Sequence, residues 1–592
     1  MKNLLNECKL EEALQLVNNI EMRENLPTEE RLKAQVYKGW IHSRLGDFKI
    51  SLEIAEELYQ KSLELKMPLF SLDALYIQFL IFLTHQKFQD MFRSVKQSEQ
   101  IFNSLPRKNS PDFQEREAKL FLMKGSVSYL KGKLDLALGY HRKSLALLKQ
   151  IDPHSYFIPI NLFALALDYH RKGELKLAIE SHEKALSIIP EGDHYGLMAW
   201  KTMISQNMGK IFYQKGDLDT ALDYNKRSFD YWQRTSRTFK WMPRLFVNII
   251  EVFLAKKDIE HAHIYLKKLE QLNEKIESRE GRSLYQLARA LILKNSVRLN
   301  DHAEAVNVLK NIVNRASTYV DALKCLCELY FEEFQMTNQM EVLDDIQPLI
   351  DQLQKNAINE NSYSLLADVK LLQAKMALIQ INMVGARKLL TEAQNIADTH
   401  DLQLLAGEIS REHDRLLEEL KLWESFKKEQ VSVADRLKLA SIKPVMERLQ
   451  GRRAIEIPDV NIEEPILLII MDKSGVTYFN HSFIGDWDFE DLFSSFMSAF
   501  NAFSGEIFSR SIDRIKIGEN TILINPIEPF LACYVIKGQS YPAQQKLTRF
   551  SETLKSTEEI WKALNKAVNT SEMLDLNNPS SLGNIVNEIF IS

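Results

Sequence analysis

The sequence predicts an α-solenoid of helical hairpins followed by a small α+β domain, a five-stranded antiparallel sheet with helices. Two observations carry this expectation. Small residues recur in a fixed pattern about every forty residues through the first two-thirds of the chain. After Pro465 the helical spacing gives way to short apolar runs separated by turn residues. A length of 592 residues also exceeds one ordinary domain.

The pattern is sharpest in the middle of the array. Gly125, Gly132, Ala137 and Ser144-Leu145 are followed by Ala166, Gly173, Ala178 and Ala185-Leu186, then by Gly209, Gly216, Ala221 and Ser228-Phe229. Small residues are required where two antiparallel helices cross closely, and a glycine ends the first helix in a left-handed conformation that costs other residues more. Aligned on that turn, the units fall at Gly46, Gln86, Gly132, Gly173, Gly216, Lys257, Asn300, Thr337 and Ile381, which predicts about nine hairpins. In the second helices, Ala262, Tyr265 and Leu269, or Ala305, Leu309 and Ile312, step by three or four residues and so share one buried stripe. Residues 1–20 read as the second half of an incomplete first unit. The segment Asp401–Phe426, apolar on one face and charged on the other, suits a capping helix.

This spacing resembles the tetratricopeptide repeat (TPR), in the long-helix form seen in kinesin light chains and bacterial peptide-sensing regulators. The resemblance covers about residues 1–425. In the unit Leu162–Pro190, Leu162, Ala166, Tyr169, Gly173, Ala178, Ala185 and Pro190 fall on the family's preferred positions. It implies that first helices line a concave face, with the residue three before the turn glycine pointing into a groove. Those residues are Tyr129, His170 and Tyr213, and Gln206, Arg244 and Asn248 add donors nearby. Rings and amide groups in such a row suit an extended peptide or protein segment; packing against neighbouring helices is the alternative role. The lysine/asparagine/arginine set by which some members clamp a terminal carboxylate is not evident at these positions.

Residues 427–464 read as a basic helical connector and linker. Lys427, Lys428, Arg436, Lys438, Lys443, Arg448, Arg452 and Arg453 face only three acids before the extended stretch around Pro458. Residues 465–592 form the predicted α+β domain. Strands are expected at Ile466–Met471 and Val476–Phe483 around the turn Asp472–Gly475, then at Ile512–Ile517, Thr521–Ile524 and Phe530–Ile536. A helix from Asp488 carries a phenylalanine-rich face through Phe489, Phe493, Phe496, Phe500 and Phe503, and a second long helix runs from about Tyr541 to Val568. The hairpin ILLIIMDKSGVTYFNHSF and the later strands IDRIKIGENTILINPIEPFLACYVIKG resemble the roadblock/longin group of the profilin-like fold. That resemblance implies docking of a small Ras-like GTPase or self-association into a homodimer. A PAS-like sensor domain shares the same kind of small sheet.

Composition narrows the function. The net charge of −5 is too small to point to nucleic acid, and the helix-turn-helix and zinc-finger signatures are absent. No apolar stretch approaches a transmembrane length, and the first ten residues do not form a secretory signal, so a cytoplasmic protein is expected. Cys8, Cys325, Cys327 and Cys533 form no CxxC pair and read as buried thiols. His261 and His263 are two apart, wrong for a shared metal, and His413 with Asp414 reads as part of a charged surface. Phosphate loops, HExxH, GxSxG and kinase motifs are missing. The expectation is a non-enzymatic interaction scaffold or adaptor with no catalytic residues, metal or cofactor. A ligand-sensing regulator is the alternative reading, and an enzyme with an unrecognised site in the C-terminal domain is the third.

Overall fold

The structure, a computed structural model, describes residue 4 and residues 9–418, 463–484 and 513–591, apart from 107–109, 190–194, 236–240, 277–278, 297, 316–319, 338, 340, 381, 473–475, 518, 539 and 571. The basic connector, most of the linker, the phenylalanine-rich helix with Phe496, and the turn at 473–475 lie outside the described residues.

Helix α1 (Leu10–Glu21) precedes the hairpins α2/α3 (Thr28–Leu45, Phe48–Glu64), α4/α5 (Pro68–Thr84, Phe88–Ser104) and α6/α7 (Pro111–Leu130, Leu134–Ile151). Then come α8/α9 (Phe157–Lys172, Leu175–Ile188), α10/α11 (Tyr195–Gln214, Leu218–Arg234), α12/α13 (Pro243–Ala255, Ile259–Ile276) and α14/α15 (Arg279–Lys294, Leu299–Arg315). The hairpins α16/α17 (Val320–Thr337, Glu341–Glu360) and α18/α19 (Tyr363–Ile379, Met383–Thr399) and the single helix α20 (Gln403–Glu418) complete the described helical region.

The turns form where the spacing places them, from the first hairpin to α12/α13. Gly46, Gly132, Gly173 and Gly216 have φ of 82°, 72°, 91° and 77°, and Gln86 and Lys257 hold the same left-handed conformation at 56° and 60°. A side chain there costs roughly 1–2 kcal/mol that glycine does not, so the two substituted turns persist because flanking helix packing fixes them. The later register drifts. Asn300 lies inside α15 and Thr337 is the last residue of α16, so neither is a turn centre; α14 already ends at Lys294 and α15 begins at Leu299. Position 381 is not described.

Close helix contact explains the small residues. Ala137, Ala178, Ala221, Ala262 and Ala305 are fully buried. A Cβ at Gly125 would lie 2.3 Å from the His141 ring, and one at Gly209 would lie 2.5 Å from the Asn225 amide oxygen. In both hairpins the second helix thus inserts a polar side chain where the first helix has none. Ser144 and Ser228 donate across the same hairpins to the carbonyls of Ala118 and Thr202, at 2.6 and 2.9 Å.

Compactness divides the chain into two units. The first holds Met1–Leu326 with Leu353–Ser364 and His400–Leu402; the second holds Cys327–Gln352, Leu365–Thr399 and Gln403–Ser592. In the second unit, β1 (Glu463–Asp472), β2 (Thr477–Ser482), β3 (Arg514–Ile517), β4 (Asn520–Ile527) and β5 (Phe530–Gly538) form one antiparallel sheet in the order β2-β1-β5-β4-β3. Leu468, Ile470, Phe530, Ala532 and Tyr534 share a core with Leu547, Phe550, Leu554, Leu564 and Phe590. The alternate residues Leu467, Ile469, Met471, Leu531, Cys533 and Val535 are buried as well. Both sheet faces are therefore covered, which is why these strands read as continuous apolar runs.

The expected long C-terminal helix is two helices, α21 (Ser540–Ser556) and α22 (Glu558–Thr570). Ser556 and Thr557 both bond the Thr553 carbonyl through their hydroxyls, at 3.1 and 2.8 Å, competing with the backbone where the helix breaks. A further short helix, α23 (Ser580–Val586), follows.

His413 and Asp414 are not on a free surface. His413 is fully buried, and Asp414 accepts from Arg514 at 3.2 Å and from the Ser540 backbone amide at 3.2 Å. Buried Arg514 also holds Asp513, Ser410 and Ser540, while Thr391 donates to Asp513 at 3.0 Å. Within this unit, α19 and α20 pack on the β3 and α21 ends of the sheet domain, and Asp414 on α20 answers that contact, while Glu408 and Glu412 lie near Lys375 of α18 and Arg411 is exposed.

Replacing Ala178 by leucine would overpack a crossing with no free space, at a cost of about 1–3 kcal/mol. Chemical denaturation of the full chain should show the loss; an unchanged transition would mean that this register is wrong.

Candidate functional site

The expected ladder occupies one structural position three times. The Tyr129, His170 and Tyr213 carbonyls accept from the glycine amides of Gly132, Gly173 and Gly216 at 3.0, 3.0 and 2.9 Å. A second bond follows in each unit, from Lys133 to Ser128, Glu174 to Tyr169, and Asp217 to Phe212, at 2.9, 2.9 and 3.0 Å. These paired bonds make each turn a Schellman-type cap, so the three side chains leave their helices at equivalent points. All three are half-buried.

The ladder also ties successive units together. The Arg171 guanidinium lies 5.0 Å above the Tyr129 ring, donates to the Tyr129 carbonyl at 2.9 Å, and grips both Glu360 oxygens at 3.0 and 2.6 Å. The next step repeats the logic, since the residue after Tyr213 is Gln214, whose amide oxygen lies 2.9 Å from the His170 ring nitrogen. The Lys210 ammonium sits 5.1 Å over Tyr213 and pairs with Glu251 at 2.6 Å. Burial lowers the His170 pKa to about 4, against a smaller opposing effect of the Gln214 bond.

Gln206 and Asn248 lie in helix bodies and Arg244 in the first turn of α12, none of them at the glycine caps. Gln206 and Asn248 are buried, and Arg244 pairs with Asp321 at 3.1 Å. The first three residues thus come to equivalent places, and the other three belong to the packing between α10, α12 and the start of α16.

A second polar site in the first unit was not legible from the repeat pattern. A cleft of about 90 Å³ is lined by Trp40 and Arg44 of α2, Asp73 of α4, Arg116 and Lys119 of α6, and Phe157 of α8. Asp73, almost wholly buried on an otherwise apolar stretch of α4, receives Arg116 at 2.5 Å and Lys119 at 3.1 Å. Lys119 reaches Glu115 at 2.9 Å and stands over Phe157, Tyr76 and Trp40 at 4.7, 5.6 and 5.8 Å. Burial alone would depress the Lys119 pKa, but Glu115 and Asp73 outweigh it and raise the value. The Arg44 guanidinium stacks on Tyr156 at 3.2 Å. The one available sequence signal was the lone acid in FSLDALYIQF.

Among the described residues no cluster of three or more His, Cys, Asp or Glu side chains could hold a metal ion, and no helix is long and apolar enough to cross a membrane. Cys325, Cys327 and Cys533 are buried, and burial pushes the Cys533 thiol up to about 12.

The fold and the repeated caps define a TPR-type helical-repeat protein. The chain belongs to the family of MalT-like TPR regions, whose model matches residues 80–402, more than half of its length. Among solved structures it is similar to a tetratricopeptide repeat protein from Parabacteroides merdae, at 15% identity over 49% of this chain and 98% of that one, with a TM-score of 0.29. It is also similar to a Rap protein complexed with competence and sporulation factor, at 13% identity over 67% and 100%, TM-score 0.42. A third likeness is to apo NprR, a quorum sensor of B. thuringiensis, at 16% identity over 60% and 98%, TM-score 0.39. No curated protein matches the chain. The family assignment rests on residues 80–402, not on these structural likenesses.

Buried histidines make the fold acid-sensitive. Burial lowers the His182 pKa to about 3, with His170 adding to the effect, and lowers that of His413 to about 3 against the pull of Asp513. Above about pH 6.5 both states of each group are neutral. Below it the unfolded chain takes up protons that the folded chain refuses, so stability falls as pH drops from about 6.5 toward 3, by up to about 1.4 kcal/mol per pH unit for each group. Urea midpoints at pH 7 and pH 5 should differ, and the difference should shrink in His182→Leu; an equal difference in that variant would contradict the assignment.

Proposed function

We propose that the protein is a non-enzymatic scaffold whose helical array holds an extended peptide or protein segment. The observation that supports this most is the threefold repetition of one half-buried cap position, with Tyr129, His170 and Tyr213 leaving their helices at equivalent caps one repeat apart. A row of rings at a fixed repeat matches a ligand that is itself extended and periodic. Arg171 and Lys210 beside the rings are already paired with Glu360 and Glu251, so binding depends on contact more than on long-range charge.

The small sheet domain serves, in this reading, as a docking platform for a small Ras-like GTPase or for a second copy of the chain. The order β2-β1-β5-β4-β3, opened by a hairpin, supports a roadblock/longin-like assignment. Its two buried faces leave little room for a small ligand, which favours the adaptor over the sensor. A cytoplasmic location goes with this reading, as do the working divisions 1–426, 427–464 and 465–592.

Peptides selected on the full chain from a displayed library supply the test. In fluorescence anisotropy, truncating Tyr129 or Tyr213 to alanine should each cost on the order of 1–2 kcal/mol of binding, with an unchanged circular dichroism spectrum and little dependence on salt. Undiminished binding by a well-folded Tyr129→Ala/Tyr213→Ala variant would place the ligand elsewhere.

A further inference from the structure

The three caps already have an occupant from the same chain. Residues Leu353–Ser364 and His400–Leu402 are remote in sequence, yet they belong to the same compact unit as the caps and touch each cap in turn. At the first cap, Glu360 accepts both guanidinium bonds of Arg171 above the Tyr129 ring, at 3.0 and 2.6 Å. At the second, the Ser362 hydroxyl donates to the Arg171 carbonyl at 2.8 Å. The Lys172 ammonium stands 5.4 Å over the Tyr363 ring, which stacks on His400 at 3.9 Å. Lys172 also donates to Asp135 at 3.0 Å, and the other Asp135 oxygen accepts from the Asn361 amide at 2.6 Å. At the third, Lys215 pairs with Asp401.

Glycine at two of these turns makes room for the loop as well as for the turn. Gln86 and Lys257 hold the same left-handed conformation with a side chain in place. A Cβ at Gly173, by contrast, would lie 3.0 Å from the Ser364 backbone nitrogen, and one at Gly132 would lie 3.1 Å from Glu360 Cγ. The contact is held by polar groups. Ion pairs between partly exposed side chains, such as Arg171 with Glu360 and Lys215 with Asp401, are individually weak, so the contact opens at small cost. Its chemistry is also that of a held segment. A carboxylate meets Arg171 at the first cap, and three residues further on the Tyr363 ring meets Lys172 at the next.

We propose that residues 360–364, together with Asp401, form an autoinhibitory clasp over the row of caps, which a peptide must displace in order to bind. The clasp and the peptide compete for one surface, so the affinity measured on the whole chain is the intrinsic affinity reduced by the fraction of molecules that stand open. This deepens the peptide-holding reading, whose site the clasp regulates, and rests on it.

Glu360→Gln and Asp401→Asn test it on the full chain. Each removes one ion pair from the clasp side and keeps the side-chain shape, and asparagine suits the φ of 57° at position 401. Peptides are selected from the displayed library on the wild-type chain and on the double variant, and labelled for fluorescence anisotropy. With an unchanged circular dichroism spectrum, each single variant should bind a selected peptide about threefold more tightly than wild type, and the double variant about tenfold. Hydrogen–deuterium exchange of the unliganded double variant should quicken at 361–364 and at Gly132 and Gly173. Peptides recovered from the double variant alone would also support the clasp. A loop that only braces the fold gives a different result, quicker exchange with unchanged or weaker peptide binding. Unchanged or weaker binding overturns this inference whether or not exchange quickens, and the scaffold reading stands if Tyr129→Ala/Tyr213→Ala still weakens binding. Recovery of no peptide from either chain, or binding indifferent to the two tyrosines in both, would overturn the two together.

Discussion

The array depends on helices that approach where one of them has almost no side chain. At Gly125 and Gly209 even a methyl group would collide with His141 or Asn225, and at Ala137, Ala178 and Ala221 no exposed surface remains. Close approach brings a polar side chain of the second helix into the interior, and that group must then find a partner or stay neutral. His141 finds Asp168 on the next first helix, at 2.6 Å, so the same contact that seals one hairpin joins it to its neighbour. Among the described residues His182 meets no such acid; burial holds its pKa low, and its ring packs against Phe163 at 5.6 Å. One turn further along the helices that carry His141 and Asn225, the Ser144 and Ser228 hydroxyls need only one carbonyl each and find it across the hairpin.

Much of this was legible because it obeys a period. Six turn positions from Gly46 to Lys257 adopt the left-handed conformation that the alignment assigned them, including the two without glycine. The register slipped at Asn300 and Thr337, where no small-residue pattern anchors the turn. The five strands were legible from apolar runs bounded by turn residues, whereas the break at Thr557 was not, because the apolar spacing of α21 and α22 continues through it. The caps at Tyr129, His170 and Tyr213 follow directly from the turns. Contacts between residues far apart in sequence, such as Arg171 with Glu360 or Asp73 with Lys119, follow from no local pattern.

The same gap explains the misreading of α20. Its charged face looked like a solvated surface, yet Ser410, His413 and Asp414 meet Asp513, Arg514 and Ser540 of the sheet domain. Full burial of Arg514 is tolerated because both neighbouring carboxylates and two hydroxyls meet its guanidinium. Asp513 is held far below the ordinary carboxylate range, because Arg514, then His413 and the Arg514 and Thr391 hydrogen bonds, outweigh the burial that opposes its charge. Such a network fixes the geometry of the last repeat helices against the sheet within their unit. It contributes orientation more than net stability.

If the array holds an extended segment as proposed, the repeated caps form one binding surface. Hydrogen–deuterium exchange of the full chain, with and without a library-selected peptide at saturation, tests it most directly. Exchange should slow at the ends of α6, α8 and α10, around Tyr129–Gly132, His170–Gly173 and Tyr213–Gly216, in all three segments together. Protection confined to α7, α9 and α11, or to residues 463–591, would contradict it.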